Sequence, residues 1–433
     1  MISPAASHLN SMPKSWTTTR VKELFAERDL RSTTGAEELF SLSKVRGLLP
    51  RSEITDKVER ADTLEGYKRF LPNDLVMNKM QAWNGVFGFA REQQGIVSPD
   101  YAVFRVIANI DPRFFTYLFK TDLYAGVFGQ LARGMGTAFL RLNTDDFGGV
   151  DVPLPTYGDQ KRISNFLDDK TARIDALIAE KGLLVERLRE YQYSYASTLM
   201  THGLNSRAEL IDTSFPEIGK VPKGWTVERL KFLGEVRSGV AKGKDLGERN
   251  TVTLPYLRVA NVQDGYVDLT HVYDIEVAAS EAPRYFLRKN DVLMNEGGDN
   301  DKLGRGAVWQ GQIDPCIHQN HVFAVRLNDP GLAEWVSCFT STDAARTYFF
   351  LRSKQSTNLA SINQSNVLEL PVPMPPPEER KELLTELQRS ANATTMLVEH
   401  AIEHISRLRE YRSSLISAAV TGQMEPGVTE VAA

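Results

Sequence analysis

Five residues, RLREY at Arg187–Tyr191, recur at Arg407–Tyr411, and the interval of 407 − 187 = 220 holds for their neighbours as well. Upstream, VPLPTYGDQKRI from Val152 pairs with VPMPPPEERKEL from Val372, setting Pro153 opposite Pro373, Pro155 opposite Pro375 and Lys161 opposite Lys381. Thr137 meets Thr357 and Asn143 meets Asn363 further upstream; Ser194 meets Ser414 and Thr201 meets Thr421 downstream, all without a gap. A chain that writes one segment twice must fold it twice, so an internal duplication is the first constraint on its architecture.

The repeated segment carries the signature of a helix. A proline-rich lead-in is followed by acids in the first turn (Asp159; Glu378 and Glu379), where the positive end of the helix dipole favours them. Gly203 and Gly422 mark the stops. Between these limits Ile174, Leu177, Lys181, Leu184, Leu188, Tyr191, Tyr195 and Thr198 recur at alternating steps of three and four, and Thr394, Leu397, Ala401, His404, Leu408, Tyr411, Leu415 and Ala418 repeat the pattern. This is heptad spacing. A helix over about 160–201 would reach roughly 60 Å at about 1.5 Å per residue, and its apolar stripe needs a partner. The other copy is the nearest candidate; separate packing of each helix on its own domain is the alternative.

A weaker repetition precedes each helix. MPKSWTTTRVKEL from Met12 matches VPKGWTVERLKFL from Val221, and RFLPNDLVMN from Arg69 matches YFLRKNDVLMN from Tyr285, pairing Asp74, Met77 and Asn78 with Asp291, Met294 and Asn295. The offset drifts from 209 to 217, so the intervening loops differ in length. Short apolar runs such as DLVMN, YAVFRV, DVLMN and HVFAVRL, punctuated by Gly, Pro, Asn and Asp, predict strands and turns. Each half is therefore expected to be a mixed α/β domain with a shared frame and private loops, followed by a long helix.

Chemistry is sparse. SPDY at Ser98–Tyr101 approaches the signature of amino-methyltransferases, but Asp100 stands where a second proline belongs. GGDNDKLGRG from Gly297 has the glycines of a phosphate cradle without the terminal Gly-Lys-Ser/Thr; it reads better as a polar turn presenting Asn300, Lys302 and Arg305. Cys316, His318, His321 and Cys338 do not have the spacing of a structural zinc site. The net charge of −4 argues against indiscriminate polyanion binding while leaving room for a local basic groove, so charge alone decides nothing. Two cysteines, no apolar run long enough to cross a bilayer and no signal-peptide pattern at the start point to the cytoplasm.

Two variable domains, each opened by Pro-x-x-Trp (PKSW, PKGW) and closed by a proline-rich lead-in to a long helix containing RLREY, resemble the specificity subunit of type I restriction-modification systems. In that family the lead-in commonly reads Pro-Pro, two variable residues, then Glu-Gln-x-x-Ile; here Asp159-Gln160 and Glu379-Arg380 stand in its place, with Leu383 for the isoleucine. The resemblance implies an α+β fold with an internal pseudo-twofold repeat: target recognition domains over 1–152 and 206–372, spacer helices over 153–205 and 373–425, and a tail over 426–433. Each domain would read one part of a two-part DNA target. The helices, as an antiparallel coiled coil, would space the domains and dock methyltransferase subunits, two of them by symmetry. Catalysis would belong to those partners and to a restriction and translocase subunit, with S-adenosylmethionine, ATP and magnesium bound there and no cofactor or metal in this chain. A stand-alone DNA methyltransferase or nuclease, or an adaptor without nucleic acid, are the competing readings.

Base reading uses bidentate donors and acceptors, Arg to guanine and Asn or Gln to adenine. The candidates in the first half are Lys79, Gln81 and Asn84 after the strand LVMN, with Arg133 and Arg141 flanking Gly134 and Gly136. In the second half they are Lys242, Lys244, Asn300, Lys302, Arg305, Gln319 and Asn320. Ile174, Leu177, Leu184, Leu188, Tyr191, Leu397, Leu408, Tyr411 and Leu415 are expected to line the seam of the coil.

Overall fold

In the computed structural model, residues 9, 12–44, 46–54, 63–134, 140–243, 247–298, 303–355 and 360–425 are described. The chain divides into two compact units, Met1–Gly182 with Ile402–Ala433, and Leu183–Ala401, so the boundary falls inside the long helices and not at their ends. Those helices span Tyr157–His202 and Pro377–Val420, the first a few residues longer than the expected 160–201, and both within the spacer ranges 153–205 and 373–425.

The duplication is explicit in the topology. The first unit has a four-stranded antiparallel sheet in the order Phe25–Glu27, Tyr101–Val106, Leu75–Asn78, Phe87–Phe89. The second repeats it with Gly234–Ser238, Val322–Leu327, Val292–Asn295, Gly306–Val308. In each, a ribbon pairs the strand after the Pro-x-x-Trp turn with the strand that leads into a long helix: Thr17–Arg20 with Asp151–Leu154, and Thr226–Arg229 with Pro371–Met374. A pair of helices also repeats, Pro112–Phe119 and Asp122–Leu131 against Ala333–Thr340 and Asp343–Arg352. Beyond this frame the halves diverge. The first adds the hairpin Phe40–Ser43 with Gly47–Pro50, and the second adds Thr251–Leu257 with Tyr273–Ala278 and Ile317–His318.

The short motifs found by repetition each have a backbone reason. In Pro-x-x-Trp the tryptophan N–H donates to the proline carbonyl, Trp16 to Pro13 at 2.9 Å and Trp225 to Pro222 at 3.0 Å, closing a turn that buries both indoles. Asn73 and Asn290, one residue before the paired aspartates, hold φ of 68° and 69°, the left-handed region that asparagine tolerates better than most residues. Asp74 and Asp291 then fold back to accept the N–H of Leu71 and Arg288, each at 2.8 Å. Burial holds the Asp74 carboxyl above the ordinary carboxylate range, against the lowering effect of its Leu71 hydrogen bond and of Arg28.

Within each unit the start of one long helix packs with the end of the other, which makes them antiparallel. Ile163, Leu167 and Ile174 share the first core with Leu415, Ile416, Ala419 and Val420; Leu199 and Met200 share the second with Leu383 and Leu387. The helix ends are clamped alike. Gly422, at φ 73°, leaves no room for a Cβ, which would lie 2.2 Å from the Pro13 ring, and Gly203, at φ 74°, abuts Trp225 at 3.2 Å. Gly422→Ala should therefore cost about 1–3 kcal/mol through the left-handed backbone alone, read as a lower midpoint in denaturant unfolding.

The seam has the expected period but a different phase. Ile174, Leu188, Leu408 and Leu415 are buried or half-buried as the pattern predicts, whereas Leu177, Leu184, Tyr191, Leu397 and Tyr411 are 45%, 45%, 60%, 55% and 57% exposed. The inward positions are instead Ile178, Val185, Gln192 and Leu199, and Val398, Ile405, Arg412 and Ala419, so the steps run four then three. The larger apolar residues drew the sequence reading one position off. Gln192 and Arg412 are polar, yet both find partners: the Gln192 Oε1 accepts from Ser390 and Thr394 at 2.9 and 3.1 Å, and Arg412 Nη2 donates to Asp175 Oδ2 at 3.2 Å. An apolar stripe is left on the outside of the helices.

Candidate nucleic-acid interface

In the first unit the predicted contact residues converge. The strand Leu75–Asn78 runs into a short turn over Ala82–Asn84, and the Lys79 carbonyl accepts from Leu142 N at 2.9 Å, tying this turn to the Arg133–Arg141 loop. Arg133 and Arg141 exchange two backbone hydrogen bonds of 2.9 Å, forming the base of that loop; Gly136 lies outside the described residues. Their side chains are tethered to acids, Arg133 to Asp146 and Arg141 to Asp100, both at 3.3 Å and largely in solvent. Such exposed pairs are weak and can be exchanged for a phosphate or base edge. Lys79 is half-buried without a partner among the described residues, and burial, then Lys68 and Arg141, pull its ammonium below the usual lysine range. Gln81 is exposed, and the exposed Asn84 accepts from Lys44 Nζ at 2.8 Å.

In the second unit Gln319 and Asn320 sit beside the loop that carries the exposed Lys242, because Val240 N donates to His318 O at 2.8 Å and Asn320 N donates to Val240 O at 3.0 Å. Lys244, Asn300 and Lys302 lie outside the described residues. Arg305 is placed differently from a projecting reader. Its side chain is only 16% exposed, donates to Gln263 Oε1 at 3.0 Å and lies 3.5 Å from Asp264. The glycines around it serve packing: a Cβ at Gly304 would meet the Phe349 ring at 2.3 Å, and one at Gly306 would meet Thr340 at 2.4 Å.

The structure also adds residues that the sequence did not suggest. Arg258 stacks on the Tyr273 ring at 3.9 Å, next to the Leu257 carbonyl that accepts from Gln319 N, and Tyr273 is 56% exposed. No periodic or motif signal marks this pair; only the hairpin brings it to the Gln319 side. His321, a metal ligand only on paper, lies beside Asn320 and 2.5 Å from Glu296.

The near-miss chemistry resolves into structure. Ser98–Tyr101 is a turn closed by Tyr101 N to Ser98 O at 3.0 Å, feeding a strand. His318 is buried with Nδ1 2.7 Å from Val322 O, and burial lowers its pKa to about 4, leaving it neutral. Burial pushes the Cys316 and Cys338 thiols up to about 12 and about 11, far from thiolate reactivity. Among the described residues no group of three or more His, Cys, Asp or Glu could hold a metal, and no helix is long and apolar enough to cross a membrane.

A frame of sheet, ribbon, helix pair and long helix that occurs twice, with different loops in each unit, defines a protein built by internal duplication. The chain is similar to the EcoKI specificity subunit of Escherichia coli strain K12, 20% identical over 373 residues covering 82% of this chain and 76% of that protein. It is also similar to the StySPI specificity subunit of Salmonella potsdam, 20% identical over 369 residues with the same coverages of 82% and 76%. No protein-family model matches. A solved chain from a type I restriction-modification system, described for its complex assembly and conformational transition, superposes with a TM-score of 0.69 at 13% identity over 96% of this chain and all of that one, which shows the fold. Both of these relatives are named as specificity subunits of type I restriction enzymes.

Proposed function

We propose that the chain is the non-catalytic DNA-recognition subunit of a type I restriction-modification complex in the cytoplasm, each half reading one part of a bipartite target. The observation that carries this reading is the division of labour within the duplication. Sheet, ribbon, helix pair and long helix are kept twice, while the loop at Lys79–Asn84 in one half, and those around Lys242, Gln319 and Arg258 in the other, differ in sequence. Two domains that differed for no reason would not keep one frame so closely. Methylation and cleavage, with S-adenosylmethionine, ATP and magnesium, then belong to partner subunits. The exposed apolar residues on the long helices, Leu177 and Tyr411 in one unit and Leu184, Tyr191 and Leu397 in the other, supply docking faces for two methyltransferase subunits.

Binding of the purified subunit with its methyltransferase to a panel of duplexes tests the reading. Arg141→Ala is expected to weaken binding by about 1–3 kcal/mol for duplexes carrying one half-site sequence, and little for those altered there, if Arg141 reads a base. A phosphate contact would instead weaken all duplexes alike and lower the salt slope by about one. An affinity indifferent to salt and to sequence in the unaltered complex would exclude DNA recognition.

A further inference from the structure

The first unit holds a cavity of about 680 Å³ between the helix Pro112–Phe119, the hairpin ending at Gly47–Pro50 and the last turns of the second long helix. Seven lysines and arginines line it against two carboxylates, Asp122 and Asp168. Some of these cations are neutralised locally: Arg91 and Arg113 share Asp168, Arg46 pairs with Glu53 and Arg412 with Asp175. Lys120 and Arg409 have no partner among the described residues. The Lys120 ammonium points along the wall at Gly47, 3.7 Å from where a Cβ there would lie. Burial, then the Arg412 charge, bring its pKa down to about 8, so it still carries its proton at neutral pH in a site where positive charge is unbalanced.

The second half shows that the frame does not need these charges. The repeated helix pairs have the same lengths, 8 and 10 residues, and Thr121 and Thr342 cap the second helix of each by accepting from Tyr124 N and Ala345 N. That alignment sets Arg113 against Glu334 and Lys120 against Ser341 (334 − 113 = 341 − 120 = 221), and the long-helix repeat sets Arg412 against Gln192 (412 − 192 = 220). Glu334, Ser341 and Gln192 line the equivalent cleft of the second unit. Gathering like charges around a partly buried lysine costs stability, and the second half avoids it at these three positions while keeping an arginine opposite Arg409, at Arg189 (409 − 189 = 220).

We propose that this cavity binds a phosphate group, held by Lys120, Arg409 and Arg412. Several donors of one sign suit an anion with two charges and three accessible oxygens better than a single carboxylate. The group could come from a free phosphate or from a DNA backbone, because the cavity adjoins the reading loop: Gly85 lies against Lys120, 3.3 Å from its Cα to a Cβ position, and Lys44 of the cavity wall holds Asn84. Only the DNA source rests on the function proposed above.

The test titrates inorganic phosphate into the full chain at constant ionic strength, read by calorimetry and by phosphorus NMR, and repeats it on Lys120→Ser and Arg412→Gln. These variants install what the second half carries at the same places, and circular dichroism checks that they fold. Saturable binding that weakens about tenfold or more in both variants, the loss expected for a charged hydrogen bond, establishes a free-phosphate site. Absence of phosphate binding, with Lys120→Ser weakening every duplex alike and lowering the salt slope by about one, establishes a backbone contact. Phosphate binding unchanged in both variants, or no effect on either ligand, overturns the proposal. A wild-type chain that binds phosphate but no duplex would fail the proposed function and leave this site standing.

Discussion

Replacing Ile174 by aspartate is expected to cost about 4 kcal/mol or more, while the same change three residues on, at Leu177, should alter stability by no more than about 0.5 kcal/mol. Ile174 is 6% exposed in the core shared by the two long helices, and Leu177 is 45% exposed. Burying a full isoleucine contributes about 1.5–3 kcal/mol. A carboxylate in its place adds the desolvation of an unpaired charge, a further few kcal/mol unless the group takes up a proton. Surface substitutions away from caps and networks usually stay within about 0.5 kcal/mol. Denaturant midpoints for both variants decide the phase of the heptads: equal losses would return Leu177 to the seam. Leu177 should reveal itself differently. If the exposed stripe docks a methyltransferase subunit, Leu177→Asp weakens copurification of that subunit while the isolated chain melts as before. A variant that docks normally would detach the stripe from that role.

What repetition made legible was the frame, because two copies under the same packing constraint repeat the residues that meet it. Gly203 and Gly422 could be placed as helix stops because a left-handed cap next to an aromatic or proline ring admits no side chain. The Pro-x-x-Trp starts and the Asn-Asp pairs were visible as repeats, although their reasons, a closed turn and a positive φ, needed coordinates. The seam was half legible. Period survives in sequence, but hydrophobicity favours Tyr191 over Gln192 for the inward position, and it has no means of seeing that the glutamine finds Ser390 and Thr394 across the seam while the tyrosine faces out. The sites were least legible. A lysine after a strand is visible as such, but whether a basic residue projects, as Lys242 does, or is pinned, as Arg305 is by Gln263 and Asp264, depends on partners more than forty residues away. The cationic cavity draws on residues 44, 113, 120 and 409–412, which no window of sequence brings together.

The second large effect concerns the aspartate that the two halves share. Asp291 has 2% of its side chain exposed and receives two hydrogen bonds from Arg326, at 2.9 and 2.7 Å, with a third from Arg288 N. Asp74 in the first half takes its arginine from another strand end, Arg28 at 3.1 Å, while Arg105, which pairs with Arg326 in the repeat (326 − 105 = 221), is exposed. The position of the arginine is thus free and the need for one is not, because a carboxylate at the head of a central strand cannot remain buried and uncompensated. Arg326→Met keeps the length of the side chain and removes the charge, and should cost about 3–5 kcal/mol, the usual loss when one partner of a buried pair is deleted. Most of that loss is the orphaned carboxylate and not the missing attraction, so the double variant Asp291→Asn, Arg326→Met should recover at least about 1 kcal/mol of it, since the amide oxygen can still accept from Arg288 N. Urea midpoints of the two single variants and the double one measure the coupling directly. A double variant less stable than Arg326→Met alone would mean that Asp291 acts through the turn at Arg288 and not through the arginine, and the same result at Asp74 and Arg28 would extend that conclusion to both copies of the frame.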